Sequence, residues 1–150
     1  MSDRAYVARN DAERTRLASL VGRLSGQELA RPLPAGWTVA SVLGHLAFWD
    51  QRIVVLIEQW QKDGVGSPPI AEIAGDVDWI NDATKPLLLA LDPRRAAEVT
   101  LQIAETADRM VADLPDAFIA ANVKAGSPIN LLRAEHRSEH LDEIEAALRA

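Results

Sequence analysis

The chain has 150 residues, 48% of them hydrophobic and 25% charged, which is the composition of one globular domain spanning 1-150 rather than of a disordered or repetitive chain. Sixteen Lys and Arg against 22 Asp and Glu give a net charge of -6 with no basic run longer than Arg94-Arg95, so nucleic acid and anionic membrane surfaces are poor partners. The absence of Cys removes disulfides, thiolate metal sites and any protein-borne thiol nucleophile, so sulfur chemistry would need a thiol brought in from outside.

The longest uncharged stretch, Pro32 to Trp49, is broken by Pro32, Pro34, Gly36 and His45 and is not expected to span a bilayer. The start, Met1-Ser2-Asp3-Arg4, has no apolar leader region, and a cytoplasmic protein is expected. Ala occurs 25 times and Leu 18 times while aromatics make up 5%, a mixture of strong helix formers that predicts an all-α fold.

The first helix is expected from about Asn10, an N-cap with Glu13 three residues on, through Leu17, Leu20, Val21 and Leu24, stopped by Ser25-Gly26 and Pro32. Thr38 then caps a second helix with the stripe Val39, Val42, Leu43, Leu46, Trp49, Ile53, Leu56, Ile57 and Trp60, ending near Gly64. The run from Gly64 to Asp76, with three Gly and two Pro, is a candidate rim for a site. A short helical stretch around Asp78 to Ala90 is expected to be interrupted by Pro86. Asp92-Pro93 opens a third long helix with the stripe Ala96, Val99, Ile103, Ala107, Met110, Val111 and Leu114, closed by Pro115. After a mixed loop, Ser127-Pro128 opens a last helix whose apolar face is Ile129, Leu132, Ile144 and Ala147. Four long amphipathic helices predict a four-helix bundle.

The chemistry lies in the three histidines. His136 and His140 are spaced i, i+4 within the last helix's apolar stripe and should point into the bundle, where their inward nitrogens need a partner. His45 sits at the edge of the second helix's buried face. The pair alone fits satisfied core histidines as well as ligands; a third inward imidazole on a facing helix makes a three-nitrogen divalent-metal site with positions left for water and substrate. His136-Arg137-Ser138-Glu139-His140 also matches H-x-x-E-H, the inverted zinc-peptidase motif, but only ten residues follow His140 where such a peptidase needs a further ligand well downstream. Glu139 is read as a solvated residue or one supporting a ligand.

Gly36-Trp37-Thr38-Val39-Ala40-Ser41-Val42-Leu43-Gly44-His45-Leu46, together with the late H-x-x-x-H followed by Leu141-Asp142-Glu143-Ile144, resembles the signature of the DinB/YfiT-like superfamily. The resemblance runs over nearly the whole chain. It implies a four-helix bundle, usually a homodimer, in which His45, His136 and His140 bind a divalent ion such as zinc or nickel. Relatives include mycothiol- or bacillithiol-dependent transferases and a maleylpyruvate isomerase, so a low-molecular-weight thiol cosubstrate is implied. The sequence ends with the last helix, so the additional C-terminal domain of those isomerases is not expected, and the isomerase option is the weaker expectation.

Among supporting residues, Glu143 shares the histidine face and is a candidate to orient a ligand ring or serve as base. Arg52, near His45 on the wheel, is a candidate to bind a substrate carboxylate, as are Arg133 and Arg137, although arginines at stripe edges usually snorkel or pair with acids. Asn81 could reach the site, and Trp37, Trp49, Trp60 and Trp79 read as core or dimer-contact residues. The expectation is a metal-dependent enzyme that activates a small thiol or water for transfer to, or hydrolysis of, a small electrophile. The alternative is a small-molecule-binding or stress-response bundle with a structural metal and no chemistry.

Overall fold

In a computed structural model, residues 3–67, 69 and 76–150 are described, and over them the chain is all-α apart from one isolated bridge between Pro32 and Thr38. Most of the Gly64 to Asp76 run lies outside the described residues. The helices are α1 (Ala5–Arg23), α2 (Gly26–Leu29), α3 (Val39–Asp63), α4 (Asp76–Ala90), α5 (Pro93–Ala112), α6 (Asp116–Lys124) and α7 (Ala134–Arg149). The four long helices close a ring in the order α1, α5, α3, α7, and α4 packs on α3.

The core has two layers that fix helix direction. One joins the N-terminal halves of α3 (Val39 to Leu46) and α5 (Ala96, Ala97, Ala104) to the C-terminal halves of α1 (Leu17, Leu20, Val21) and α7 (Leu141, Ile144). The other joins the far ends of α3 (Ile53, Ile57, Trp60) and α5 (Val111) to Tyr6 at the start of α1. Hence α3 and α5 run parallel, with α1 and α7 opposed, and α4 belongs to the long crossover that parallel neighbours require. The most apolar window of α3 is long and hydrophobic enough for a bilayer, but 67% of it is buried in the fold, as befits the helix touching α4, α5 and α7.

Several starts follow from local chemistry. Thr38 Oγ1 accepts from Ser41 N at 3.1 Å while Ser41 Oγ accepts from Thr38 N at 2.8 Å, a reciprocal cap that fixes where α3 begins. Gly64, at φ 95°, ends it through its N–H to Trp60 O at 2.8 Å. Asp92 caps α5 through Arg95 N at 2.9 Å, with Pro93 at the first turn. Ser25, expected only to stop α1 together with Gly26, forms a capping box with Glu28 for the short α2.

Four expectations are corrected. α1 starts at Ala5, and Asn10 is a buried residue inside it. Its Oδ1 accepts from Ala134 N at 2.9 Å and its Nδ2 donates to Leu131 O at 2.9 Å, so Asn10 caps α7 across the bundle rather than its own helix. α4 runs through Pro86, which lies on the exposed side along with Asp82, so water can serve the carbonyl that the missing N–H leaves unpaired. The buried face of α5 is Ala96, Ala97, Thr100, Ala104, Ala107, Asp108 and Val111, while Val99 and Ile103 are only half-buried. The mixed loop contains α6, and the last helix begins at Ala134 because Asn122 pins the intervening chain, bonding the N–H and C=O of Ile129 at 3.0 and 2.9 Å while Ser127 turns at φ 55°.

Candidate metal centre

His45 is carried by α3 and His136 and His140 by one turn of α7, and the packing of these helices brings all three rings together, with centroids 5.0, 4.9 and 4.8 Å apart pairwise. One nitrogen from each lies within 4.8 Å of one from each of the others. His45 Nε2 stands 3.1 Å from His136 Nε2. Two nitrogens bound to one tetrahedral ion at about 2.0–2.1 Å stand roughly 3.3 Å apart, so this spacing fits a shared ion.

The electrostatics point the same way. Burial, reinforced by the neighbouring imidazoles, pushes His45 down to about 4 and His136 down to about 3. Both are therefore neutral near pH 7, the form that offers a lone pair to a metal. His45 is 7% exposed and its Nδ1 has no hydrogen-bond partner among the described residues. A core histidine satisfied by its surroundings would use both nitrogens. Here the polar contact is made by Nε2 alone, toward the other rings. Glu143 Oε2 lies 3.2 Å from His140 Nδ1, which favours a proton on that nitrogen and leaves Nε2 as the donor facing the centre.

The rings line a cavity of about 980 Å³ bounded by α3, α4 and α7. Trp37 meets His45 edge-on at 5.7 Å, and Trp49 Nε1 donates to Asn81 Oδ1 at 2.8 Å, which ties α4 to α3 beside the site. Asn81, Glu139 and Glu143 all line this cavity, Glu139 with an exposed side chain. Arg52 does not. It lies over the Trp49 ring, 5.6 Å from its centroid, and lines a separate apolar cavity of about 820 Å³ between α3, α4 and α5. Of the other tryptophans, Trp60 is core and Trp79 is 62% exposed.

Behind the histidines lies a buried ionic network. Arg133 Nε donates to Asp50 at 2.9 Å, and Arg137 donates to Asp50 at 3.3 Å and bidentately to Asp108 at 2.9 and 3.0 Å. Asp108 also accepts from Arg14 at 2.8 Å. The expectation that Arg133 and Arg137 pair with acids holds, but neither snorkels: they are 8% and 1% exposed. Because they flank His136 on α7, the network fixes the turn that carries it. Asp50 and Asp108 were not legible as site supports one at a time. The available signal was two carboxylates within otherwise apolar faces, matched by an i, i+4 arginine pair interleaved with the i, i+4 histidines.

A family model described as the mycothiol maleylpyruvate isomerase N-terminal domain matches residues 11–146. The chain belongs to that family. This N-terminal-domain family is part of the DinB/YfiT-like helical superfamily, so the likeness read from the two histidine motifs holds, and the match contains all three histidines. No curated protein and no solved structure matches the chain significantly. In this isomerase-N-terminal-domain chain, the donor set and its neutral state fit a divalent metal ion; they do not distinguish zinc from nickel.

Proposed function

We propose that this protein is a metal-dependent enzyme that activates a small thiol, or water, for attack on a small electrophile. The observation that carries this reading is the convergence of three imidazoles on one point at the wall of a cavity large enough for a small molecule. Three protein ligands leave coordination positions open, which suits catalysis better than a closed structural site. A divalent ion held there supplies Lewis-acid chemistry, making the proton of a thiol or water easier to lose near neutral pH. Family membership supports the thiol, and the chain, having no Cys, does not provide one.

The chain's own residues have separable tasks. His45, His136 and His140 hold the centre. Glu143 keeps the His140 ring turned inward through Nδ1 and stands at the cavity wall, where its carboxylate can take the nucleophile's proton. The Trp49–Asn81 hydrogen bond holds α4 as the wall opposite α7. Arg52 has no task in this cavity.

The test is paired. His140→Ala should lose metal and thiol-dependent turnover together, whereas normal turnover in that variant would overturn the proposal. In cobalt-substituted protein, an added thiol should change the visible spectrum; no response to any thiol, with metal bound, would favour a structural ion instead.

A further inference from the structure

We propose that the apolar cavity between α3, α4 and α5 is a second ligand site, which takes an amphipathic carboxylate whose extended apolar chain lies along the groove and whose anionic head is held by Arg52. This is independent of the metal reading, because none of the three histidines lines this cavity.

The cavity, of about 820 Å³, follows α3 from Gly44 to Gln59, about 22 Å at the helical rise, and α5 from Arg95 to Ile103. That shape suits a chain better than a compact ring. Its walls are apolar: Phe48, Val55 and Leu56 on α3, Leu88 on α4, and Val99 and Ile103 on α5. Val55 is exposed and the other five are half-buried, so the groove leaves apolar surface in water that an apolar chain would cover.

Charge identifies the head group. Although the chain carries 22 Asp and Glu and a net charge of -6, no acid among the described residues lines this cavity, while Arg52 and Arg95 do. Arg95 is exposed and faces Glu98 at 3.6 Å, a solvated pair. Arg52 differs from every other half-buried arginine of the described residues. Arg4, Arg14 and Arg16 bond carboxylates and Arg31 bonds the carbonyls of Ala147 and Leu148, whereas Arg52 has no hydrogen bond or ion pair among the described residues. It rests on the Trp49 ring, 5.6 Å from the centroid. That contact orients the guanidinium without neutralising it and leaves its N–H donors unspent. A half-buried guanidinium with free donors beside an apolar wall is matched by a carboxylate, which accepts two parallel N–H bonds from it.

The experiment uses the full chain, isotope-labelled, with and without added zinc, and two probes of one chain length, octanoate and octanol, followed through amide chemical shifts by NMR. Octanoate should shift the amides of Ala47, Val55, Val99 and Ile103 saturably and bind about fivefold or more tighter than octanol, with the gap narrowing in high salt. Arg52→Gln should weaken octanoate about fivefold and octanol less than about twofold. Val55→Glu, at a position 53% exposed and so compatible with folding, should weaken octanoate by setting a like charge on the groove. Equal or tighter binding of octanol to the wild-type chain would overturn the proposal, as would an Arg52→Gln protein that binds octanoate unchanged, or no saturable shift with octanoate. Octanoate shifts confined to the surroundings of His45, His136 and His140, seen with zinc alone, would mark a carboxylate held by the ion and overturn it too. So would the groove amides shifting on dilution without any probe, because the occupant would then be a second copy of the chain.

Discussion

At the scale of single residues, the neutral state of the imidazoles has a consequence for stability. His45 and His136 sit at about 4 and about 3 in the folded chain, below the ordinary histidine value near 6.5 that applies when unfolded. Below about pH 6.5 the unfolded chain takes up protons that the folded chain refuses, so their contribution to stability is whole above that pH and is lost progressively as pH falls toward the folded values. Metal-free protein should therefore lose stability between pH 7 and pH 4.5 more steeply than a His136→Gln variant, as read from urea midpoints; parallel losses would contradict the assignment. The histidines themselves were legible in the sequence because helical spacing alone puts two on one stripe and the third on another buried face. Their supports were not. Asp50, Asp108 and Asn10 act across the bundle on α7, and a local pattern carries no information about a partner some 30 to 125 positions away.

At the scale of elements, α7 is held by contacts that its own sequence does not supply. Asn10 satisfies Ala134 N at its first turn, two residues before His136. Asn10→Ala would leave that N–H unpaired and Leu131 O with Arg133 N alone, at a cost of about 1–3 kcal/mol in chemical denaturation, with weaker metal binding as the second readout. Asp108 is a harsher case. It neutralises Arg137 and Arg14 at once, so Asp108→Ala should cost about 3–5 kcal/mol, while replacing Asp108 and Arg137 together by apolar residues should cost less than the single change. At the α3–α4 contact α4 comes close to Gly44, where a Cβ would stand 3.1 Å from Leu88 Cδ2. Gly44→Ala should move the Leu88 side chain by a few tenths of an ångström and change stability by less than about 1 kcal/mol in urea denaturation, because the gain in helix propensity offsets the crowding. The starts of α3 and α5 were readable because their caps lie within three residues. The start of α7 and the existence of α6 were not, because Ser127-Pro128 carries a capping signature that the Asn122–Ile129 bonds override.

At the scale of the whole molecule, the all-α bundle was legible from composition and periodicity, since four apolar stripes can be buried together in few ways. Its arrangement was less so: the Gly- and Pro-rich crossover does not reveal that α3 and α5 are parallel, nor that α4 closes one wall of the histidine cavity. That wall makes the site a junction of three elements, so metal binding should stabilise the fold as a unit. An ion at about 100 times its Kd adds about 2.7 kcal/mol, on the order of 5–10 °C in Tm for a domain of this size. The most direct test of the three-histidine centre is elemental analysis of protein purified without a metal-binding tag, beside a His136→Ala, His140→Ala double variant. About one equivalent of a divalent metal per chain, absent from the variant, is the result predicted. Wild type and variant equally free of metal, even after incubation with zinc or nickel, would contradict it and leave His45, His136 and His140 as core residues of a binding bundle.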